Sequence, residues 1–238
     1  MKKSSVLTLL TVMLLSGCVS TQHDGGTVAC DCNRAVRVPD KVFRTWLVDK
    51  GYATKAGWHT LKPTTEGCAL TMLECYDLGI HSLEGIEMFP QLKHIVCSNN
   101  PITELDLNML PNLKSLYGLN MPLKRIHIGQ CHHLRTIELS HTELDTFSLA
   151  PFPELVEFFC IHSPLRSLDL TPCPALESLY IRGTLIREVD ITPCHNFRAF
   201  YALDTPLERL IVTPEQYQSD IKTLASDSVQ VVVMPSAR

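Results

Sequence analysis

The sequence predicts an α/β solenoid, a chain wound into stacked repeats with a parallel β-sheet on its concave face. Apolar residues recur every 21 residues, two fixed positions of the repeat are always polar, and the segments at both ends depart from the repeat. A recurrence of this length is typical of repeat architectures. Position one of successive repeats is occupied by Leu92, Leu113, Leu134, Leu155, Leu176 and Phe197. A weaker copy begins at Leu70.

The pattern inside each repeat predicts which side chains are buried. Positions one, four, eleven, fourteen and sixteen are apolar in every copy, and positions twelve and thirteen are polar. One repeat cannot bury enough apolar surface to fold alone, so we expect the repeats to share a continuous core. In a short strand around position four, side chains four and six point inward, whereas three, five and seven point outward. We expect positions fourteen to sixteen to form the opposite wall.

The stretch LKHIVCSNNPI, from Leu92 to Ile102, matches the pattern LxxLxLxxNxL and resembles the leucine-rich repeat family. This resemblance covers Leu70 to about Thr213 and implies a right-handed coil. The 21-residue copies are similar to those of bacterial, Bacteroides-like leucine-rich repeat lipoproteins. Asn100 occupies the asparagine position, where the hydroxyls of later copies can still bond the backbone. Those copies place Met121, Thr142, Ser163, Thr184 and Thr205 there.

The first 18 residues have the features of an export signal. Lys2 and Lys3 precede an apolar stretch that is too short to cross a bilayer. It ends in Leu-Ser-Gly before Cys18, which resembles a bacterial lipobox, so we expect acylation of Cys18. The alternative is an ordinary signal peptide with a chance cysteine. Residues 19–37 are expected to form a flexible tether. The predicted location is the cell envelope, on the outer membrane, with the face of the membrane left open.

The segments flanking the repeats are predicted to cap them. In the N-terminal cap, residues 38–69, Asp40 is predicted to be a helix N-cap and Gly51 to end the helix. The segment is similar to the helical lead-in of the bacterial relatives, but it contains no acidic calcium-binding loop. We therefore predict no calcium site.

The repeats are assigned to residues 70–213 and the C-terminal cap to residues 214–238. Pro214 to Asp227 has a helical pattern of apolar residues. Val229 to Met234 is predicted to form a strand that could cover the last coil. An array of repeats needs such caps because its terminal faces are apolar.

Six of the ten cysteines fall at core positions of the repeat. Their predicted role is that of small hydrophobic side chains with free thiols, although neighbours at position nineteen could reach each other for a disulfide. Position six holds Cys75, Cys97 and Cys160, and position nineteen holds Cys131, Cys173 and Cys194. Outside the repeats, a disulfide from Cys32 or Cys30 to Cys68 would tie the N-terminal cap together.

Outward positions five and seven form the candidate binding surface, because nothing in the repeat covers them. A contiguous apolar patch of this kind often marks an interaction site, although stacking of neighbouring rings for stability is the alternative. The predicted ligand-binding residues are Tyr117, Leu119, Glu138, Phe159, Ile161, Tyr180, Arg182, Tyr201 and Leu203. His141, His162 and Asp204 would lie at its edge.

Other functions have little support in the sequence. The chain carries a net charge of −4 without a basic block, which argues against a nucleic-acid partner. No common catalytic motif is present, and two histidines without a third ligand do not predict a metal site. We therefore expect a non-enzymatic protein without cofactor that binds a protein or a glycan. The alternatives are a structural envelope component that self-associates and, with less support, an enzyme.

Overall fold

The computed structural model describes residues 34–149 and 152–234. The predicted lipidation site Cys18 and the cysteines Cys30 and Cys32 lie outside these residues. Within them, the chain forms a parallel β-solenoid of about eight coils, so the predicted fold class is confirmed.

Sixteen short strands and three short helices make up the described chain. The first eight strands are β1 (Val36–Arg37), β2 (Ala53–Lys55), β3 (Thr60–Pro63), β4 (Met72–Glu74), β5 (His94–Val96), β6 (Glu104–Asp106), β7 (Ser115–Tyr117) and β8 (Arg125–His127). The others are β9 (Thr136–Glu138), β10 (Glu157–Phe159), β11 (Ser178–Tyr180), β12 (Glu188–Asp190), β13 (Ala199–Tyr201), β14 (Arg209–Val212), β15 (Lys222–Leu224) and β16 (Gln230–Val233). The helices are α1 (Lys41–Asp49), α2 (Thr65–Cys68) and α3 (Pro214–Gln218), and a 3-10 turn covers Ile86–Met88.

The main sheet contains eight parallel strands in the order β4-β5-β7-β9-β10-β11-β13-β15. Its register follows the sequence repeat, because Ile137 pairs with Phe158 and Phe158 with Leu179 on successive coils. These position-four side chains are fully buried. Successive coils are therefore stacked in register, with one row of side chains in the core and another on the outer face.

The opposite wall is made of two shorter parallel sheets, β6-β8 and β12-β14-β16. The coils between them contain no strand at residues 146–148 and 167–169. Side chains at position fifteen of this wall shape the following turn. The carboxylates of Asp106, Asp169 and Asp190 each accept a hydrogen bond from the backbone N–H two residues later. Their recurrence is thus explained by turn geometry.

The N-terminal region combines α1 with an antiparallel sheet, β1-β3-β2, which the sequence did not predict. Asp40 caps α1, since its Oδ1 accepts from the backbone N–H of Phe43 at 2.8 Å. The other carboxylate oxygen of Asp40 accepts from the N–H of His81, which joins this region to the first coil. Phe43 and Leu47 are fully buried against the end of the array.

The C-terminal region continues the solenoid for one more coil. Helix α3 ends at Gln218, well before the predicted end at Asp227, and β15 and β16 then extend the main sheet and the opposite wall. Gln216 is buried, and its Nε2 donates to the carbonyls of Ile191 and Cys194 at 2.8 and 2.9 Å. This amide adds a second hydrogen bond to two carbonyls that already accept from the backbone N–H groups of Cys194 and Phe197.

Polar side chains inside the coil bond to backbone groups, as the repeat predicted. Asn100 is buried, and its Nδ2 donates to the carbonyls of Cys75 and Cys97, while its Oδ1 accepts from the N–H groups of Leu78 and Ile80. The later copies use hydroxyls that donate to the carbonyl three residues earlier, at Thr142, Thr184 and Thr205.

Candidate binding face

The outer face of the main sheet carries the predicted binding residues, and we call it the binding face. Alternation along each strand puts position five on this face, while position four lies in the core. Three neighbouring strands, β10, β11 and β13, contribute the aromatic side chains Phe159, Tyr180 and Tyr201 at position five. We call these three rings the aromatic ladder.

The rings of the aromatic ladder stack face to face. The centroids of Phe159 and Tyr180 lie 4.3 Å apart with planes 12° from parallel, and those of Tyr180 and Tyr201 lie 4.5 Å apart at 5°. All three side chains are half-buried. Both faces of the Tyr180 ring are therefore covered, whereas Phe159 and Tyr201 are each stacked on one face.

Aliphatic side chains flank the aromatic ladder on the same face. Leu119 and Leu203 are 36% and 38% exposed, and Ile161 is half-buried beside the ladder. Tyr117, also 38% exposed, lies two strands from Phe159 because Glu138 occupies the strand between them. The apolar surface is thus continuous at the ladder and interrupted by a carboxylate at β9.

The charged residues on the face are held by neighbouring groups. Arg182 forms an ion pair with Asp204 of the next coil, with Nε to Oδ2 at 2.8 Å. One oxygen of Glu138 accepts from the backbone N–H of Ser140 at 2.8 Å. Burial nevertheless raises the pKa of the Glu138 carboxyl above its usual value. The face thus combines apolar contact area with few uncompensated charges.

Position eight, at the edge of the binding face, has a backbone conformation that was not predicted from the sequence. Residues here take a left-handed conformation with φ between 52° and 69°. They are Asp77, Asn99, Asn120, His141, His162, Gly183 and Asp204. Asparagine, aspartate, histidine and glycine are the residue types that tolerate this conformation best, so the composition of the column was an available signal.

The two histidines of this column approach each other, as the repeat suggested. The rings of His141 and His162 have centroids 5.2 Å apart, with planes 38° from parallel. The described part of the chain holds no group of three or more His, Cys, Asp or Glu placed to bind a metal ion. Both histidines are exposed, so the pair adds polar groups to the edge of the binding face.

Serines at position seven tie adjacent coils together beneath the face. Ser98 Oγ accepts from the N–H of Leu119 at 3.1 Å, and Ser140 Oγ accepts from the N–H of Ile161 at 2.9 Å. These bonds tie the backbone segments that carry Leu119 and Ile161, just after β7 and β10, to the preceding coil.

The core cysteines are free thiols of low reactivity. Burial raises the pKa of Cys97, Cys131, Cys160, Cys173 and Cys194 to about 12, which keeps each thiol protonated. The Sγ of Cys194 donates to the carbonyl of Cys173 at 3.5 Å instead of bonding its sulfur. Cys68 is disulfide-bonded, and its pairing with Cys32 or Cys30 stays a prediction.

Among residues 34–149 and 152–234, no helix combines the length and apolar character that spanning a bilayer requires.

Comparison with known proteins gives similarity to leucine-rich repeat structures. No protein-family model and no curated relative matches the sequence. The solved functional domain of InlJ from Listeria monocytogenes, described as including a cysteine ladder, is 18% identical with a TM-score of 0.38. The mouse RP105/MD-1 complex is 19% identical with a TM-score of 0.48. The matches cover 76% and 68% of this chain but only 57% and 28% of those chains.

Proposed function

We propose that this protein is a non-enzymatic, membrane-anchored binding protein that holds a protein partner against its binding face. The observation that carries the proposal is the aromatic ladder, with centroid spacings of 4.3 and 4.5 Å on a rigid sheet. Rigid aromatic side chains surrounded by aliphatic ones resemble the centres of protein interfaces, because they bury much area at little entropic cost.

The stacking favours a protein over a glycan. A sugar ring packs on the face of an aromatic side chain, but Phe159 and Tyr201 cover both faces of Tyr180. At Tyr180 the ring edge and the hydroxyl remain, and these suit the apolar side chains and backbone carbonyls of a polypeptide. Ile161 and Leu203, which follow the strands of Phe159 and Tyr201, extend the apolar area beside the ladder.

The membrane anchor is proposed from the lipobox at Cys18. Several acyl chains give firm attachment, because each buried methylene contributes about 0.8 kcal/mol. The outer membrane is the proposed site of attachment.

A double substitution tests the binding face. Tyr180→Ala with Tyr201→Ala removes two of the three rings, and Tyr217→Ala removes an exposed tyrosine outside the main sheet as a control. In a crosslinking pull-down from the native envelope, the double variant should lose partners that wild type and the Tyr217 variant retain. Recovery of the same partners by all three proteins would refute the proposal.

The same proteins separate partner binding from self-association. If wild type forms a stable dimer in multi-angle light scattering and the double variant is a monomer, the face binds its own copy instead of a different protein. A monomeric wild type supports the proposed function.

A further inference from the structure

The N-terminal region and the remainder of the chain carry opposite net charge. Residues 34–69 contain seven Lys and Arg against three Asp and Glu, a formal charge of +4. Residues 70–238 contain twelve Lys and Arg against twenty Asp and Glu, a formal charge of −8. Such a separation orients a molecule in the field of a charged surface, with the basic end toward the negative charge.

A tryptophan projects from this basic end. Trp58 is 93% exposed, the largest value among the exposed large apolar side chains of the described residues. It lies in the loop between β2 and β3, where the N–H of Ala56 donates to the carbonyl of Thr60 at 3.0 Å. The N–H of Val38 also donates to the carbonyl of His59 at 2.7 Å. The loop is therefore held by backbone bonds, and it keeps the indole away from the core.

Basic side chains share a groove with Trp58. The groove, about 410 Å³ in volume, lies between the loop and α1 and includes Lys41, Arg44 and Lys55, with Asp49 as its one acidic residue. Arg44 donates to the carbonyls of Val38 and Pro39, and no described carboxylate lies within ion-pair distance of Lys41 or Lys55. Both lysines are exposed, so their charges are available to an outside partner.

We propose that this end of the molecule lies on an anionic lipid bilayer, with Trp58 in the interface and Lys41 and Lys55 against the headgroups. Tryptophan concentrates at membrane interfaces because its ring is largely apolar while its N–H needs a polar partner. Lysine side chains near an anionic leaflet are attracted to it, and their long stems let the ammonium groups reach the headgroups. This contact is independent of acylation at Cys18.

The proposed contact sets the height of the binding face above the membrane. Strand β4 is the strand of the main sheet next to the N-terminal region, and β13 lies six strands away from it. Neighbouring strands are about 4.8 Å apart, so Tyr201 lies roughly 30 Å along the sheet from that end. The aromatic ladder would then face a partner outside the headgroup layer.

Site-specific fluorescence tests the proposal on a full-length chain with Cys18→Ser, so that acylation cannot attach the protein to neutral vesicles. The sequence has two tryptophans, so Trp46→Phe leaves Trp58 as the single probe. The protein is mixed with vesicles of phosphatidylcholine brominated on its acyl chains, either alone or mixed with phosphatidylglycerol. With phosphatidylglycerol present, we expect the Trp58 emission to shift to shorter wavelength and to be quenched, and added salt should weaken the effect.

Two matched controls sharpen the test. A tryptophan placed by Tyr217→Trp, in a chain with Trp46→Phe and Trp58→Phe, reports the opposite end of the array and should not be quenched. Lys41→Gln with Lys55→Gln should weaken binding by roughly fivefold per charge. Lys93→Gln with Lys114→Gln removes the same charge from exposed positions on the coils and should have little effect.

Two results would overturn the proposal. One is a Trp58 emission that anionic vesicles change no more than they change the probe at position 217. The other is equal quenching on neutral and anionic vesicles, which would show that anionic lipid is not recognised.

Discussion

A Cβ atom on Gly183 would lie 2.3 Å from Nδ1 of His162, because the histidine ring of one coil covers the glycine of the next. Both residues belong to the position-eight column, and Gly183 has φ of +69° and His162 of +52°. Glycine at 183 is therefore favoured for two reasons. It adopts the left-handed backbone without strain, and it leaves room for the imidazole ring.

Gly183→Ala should destabilise the fold by about 1–3 kcal/mol, because it adds left-handed backbone strain and a clash with the His162 ring. In a chain that also carries His162→Ala, the clash is gone and only the backbone strain remains, so the cost should be smaller. Urea unfolding of the four proteins measures both values. The same cost in both backgrounds would show that the ring does not occupy the space over residue 183.

Asn100→Ala should be among the most damaging polar substitutions in the array. It removes an amide that bonds five backbone groups, and each buried group left without a partner costs about 1–3 kcal/mol. Asn112→Ala is the control, since that amide donates one bond, to the carbonyl of Pro90. Denaturant unfolding should give a loss at Asn100 at least twice that at Asn112.

Two substitutions test which positions of the repeat point into the core and which point outward. One is on β11, and the other is in the turn that follows β13. Leu179 is fully buried at position four, so Leu179→Ala should cost about 2–5 kcal/mol and Leu179→Asp should unfold several coils. Leu203 is exposed at position seven, so Leu203→Asp should leave the thermal melting curve nearly unchanged. A Leu179→Asp protein that melts like wild type would refute the assignment.

The burial of Glu138 should make the free energy of unfolding decrease slightly as the pH rises. Burial raises the pKa of its carboxyl in the folded state, so the folded state binds this proton more tightly than the unfolded state does. The resulting stabilisation is complete below the usual glutamate pKa and is lost as the pH rises through the raised value. Relative to Glu138→Gln, wild type should therefore lose stability over that interval. Unfolding of both proteins at a series of pH values measures the difference, and an opposite slope would contradict the burial effect.

The buried cysteines should resist alkylation in the native state. Burial keeps the thiols protonated, with a pKa of about 12 at Cys97, Cys160 and Cys194, whereas the thiolate is the reactive species. Mass spectrometry after iodoacetamide treatment should find these cysteines unmodified in native protein and modified in urea. Rapid modification of native Cys194 would indicate that the array opens at its C-terminal end.

The coils of the array were predictable from the sequence because the residues that recur every 21 positions are also the residues buried in the core. A period of 21 with apolar position four places Leu116, Ile137 and Phe158 on successive strands, and the structure pairs them in that order. The alignment of Tyr180 with Tyr201 follows from the same register. The sequence left open whether these rings stack on each other or face a ligand. Which ring faces are covered depends on side-chain orientation, which the repeat pattern does not specify.

The two ends were less predictable because tertiary contacts outweigh local pattern there. Tyr217, Ile221 and Leu224 have helical spacing, yet the chain leaves the helix after Gln218. The free edge of β13 offers backbone bonds instead, as Lys222 N–H shows by donating to the carbonyl of Arg198 at 2.8 Å. At the other end, β1, β2 and β3 are too short to show a period, so their sheet had no signal in the sequence.

Site-specific photocrosslinking in the native envelope tests the binding face most directly. p-Benzoylphenylalanine is placed at position 180 of the aromatic ladder and, in a second protein, at position 190, where Asp190 is exposed on the opposite wall. If the aromatic ladder is the binding site, position 180 gives an adduct with a second protein and position 190 gives none. Equal yields from both positions, or an adduct from position 190 alone, would contradict it.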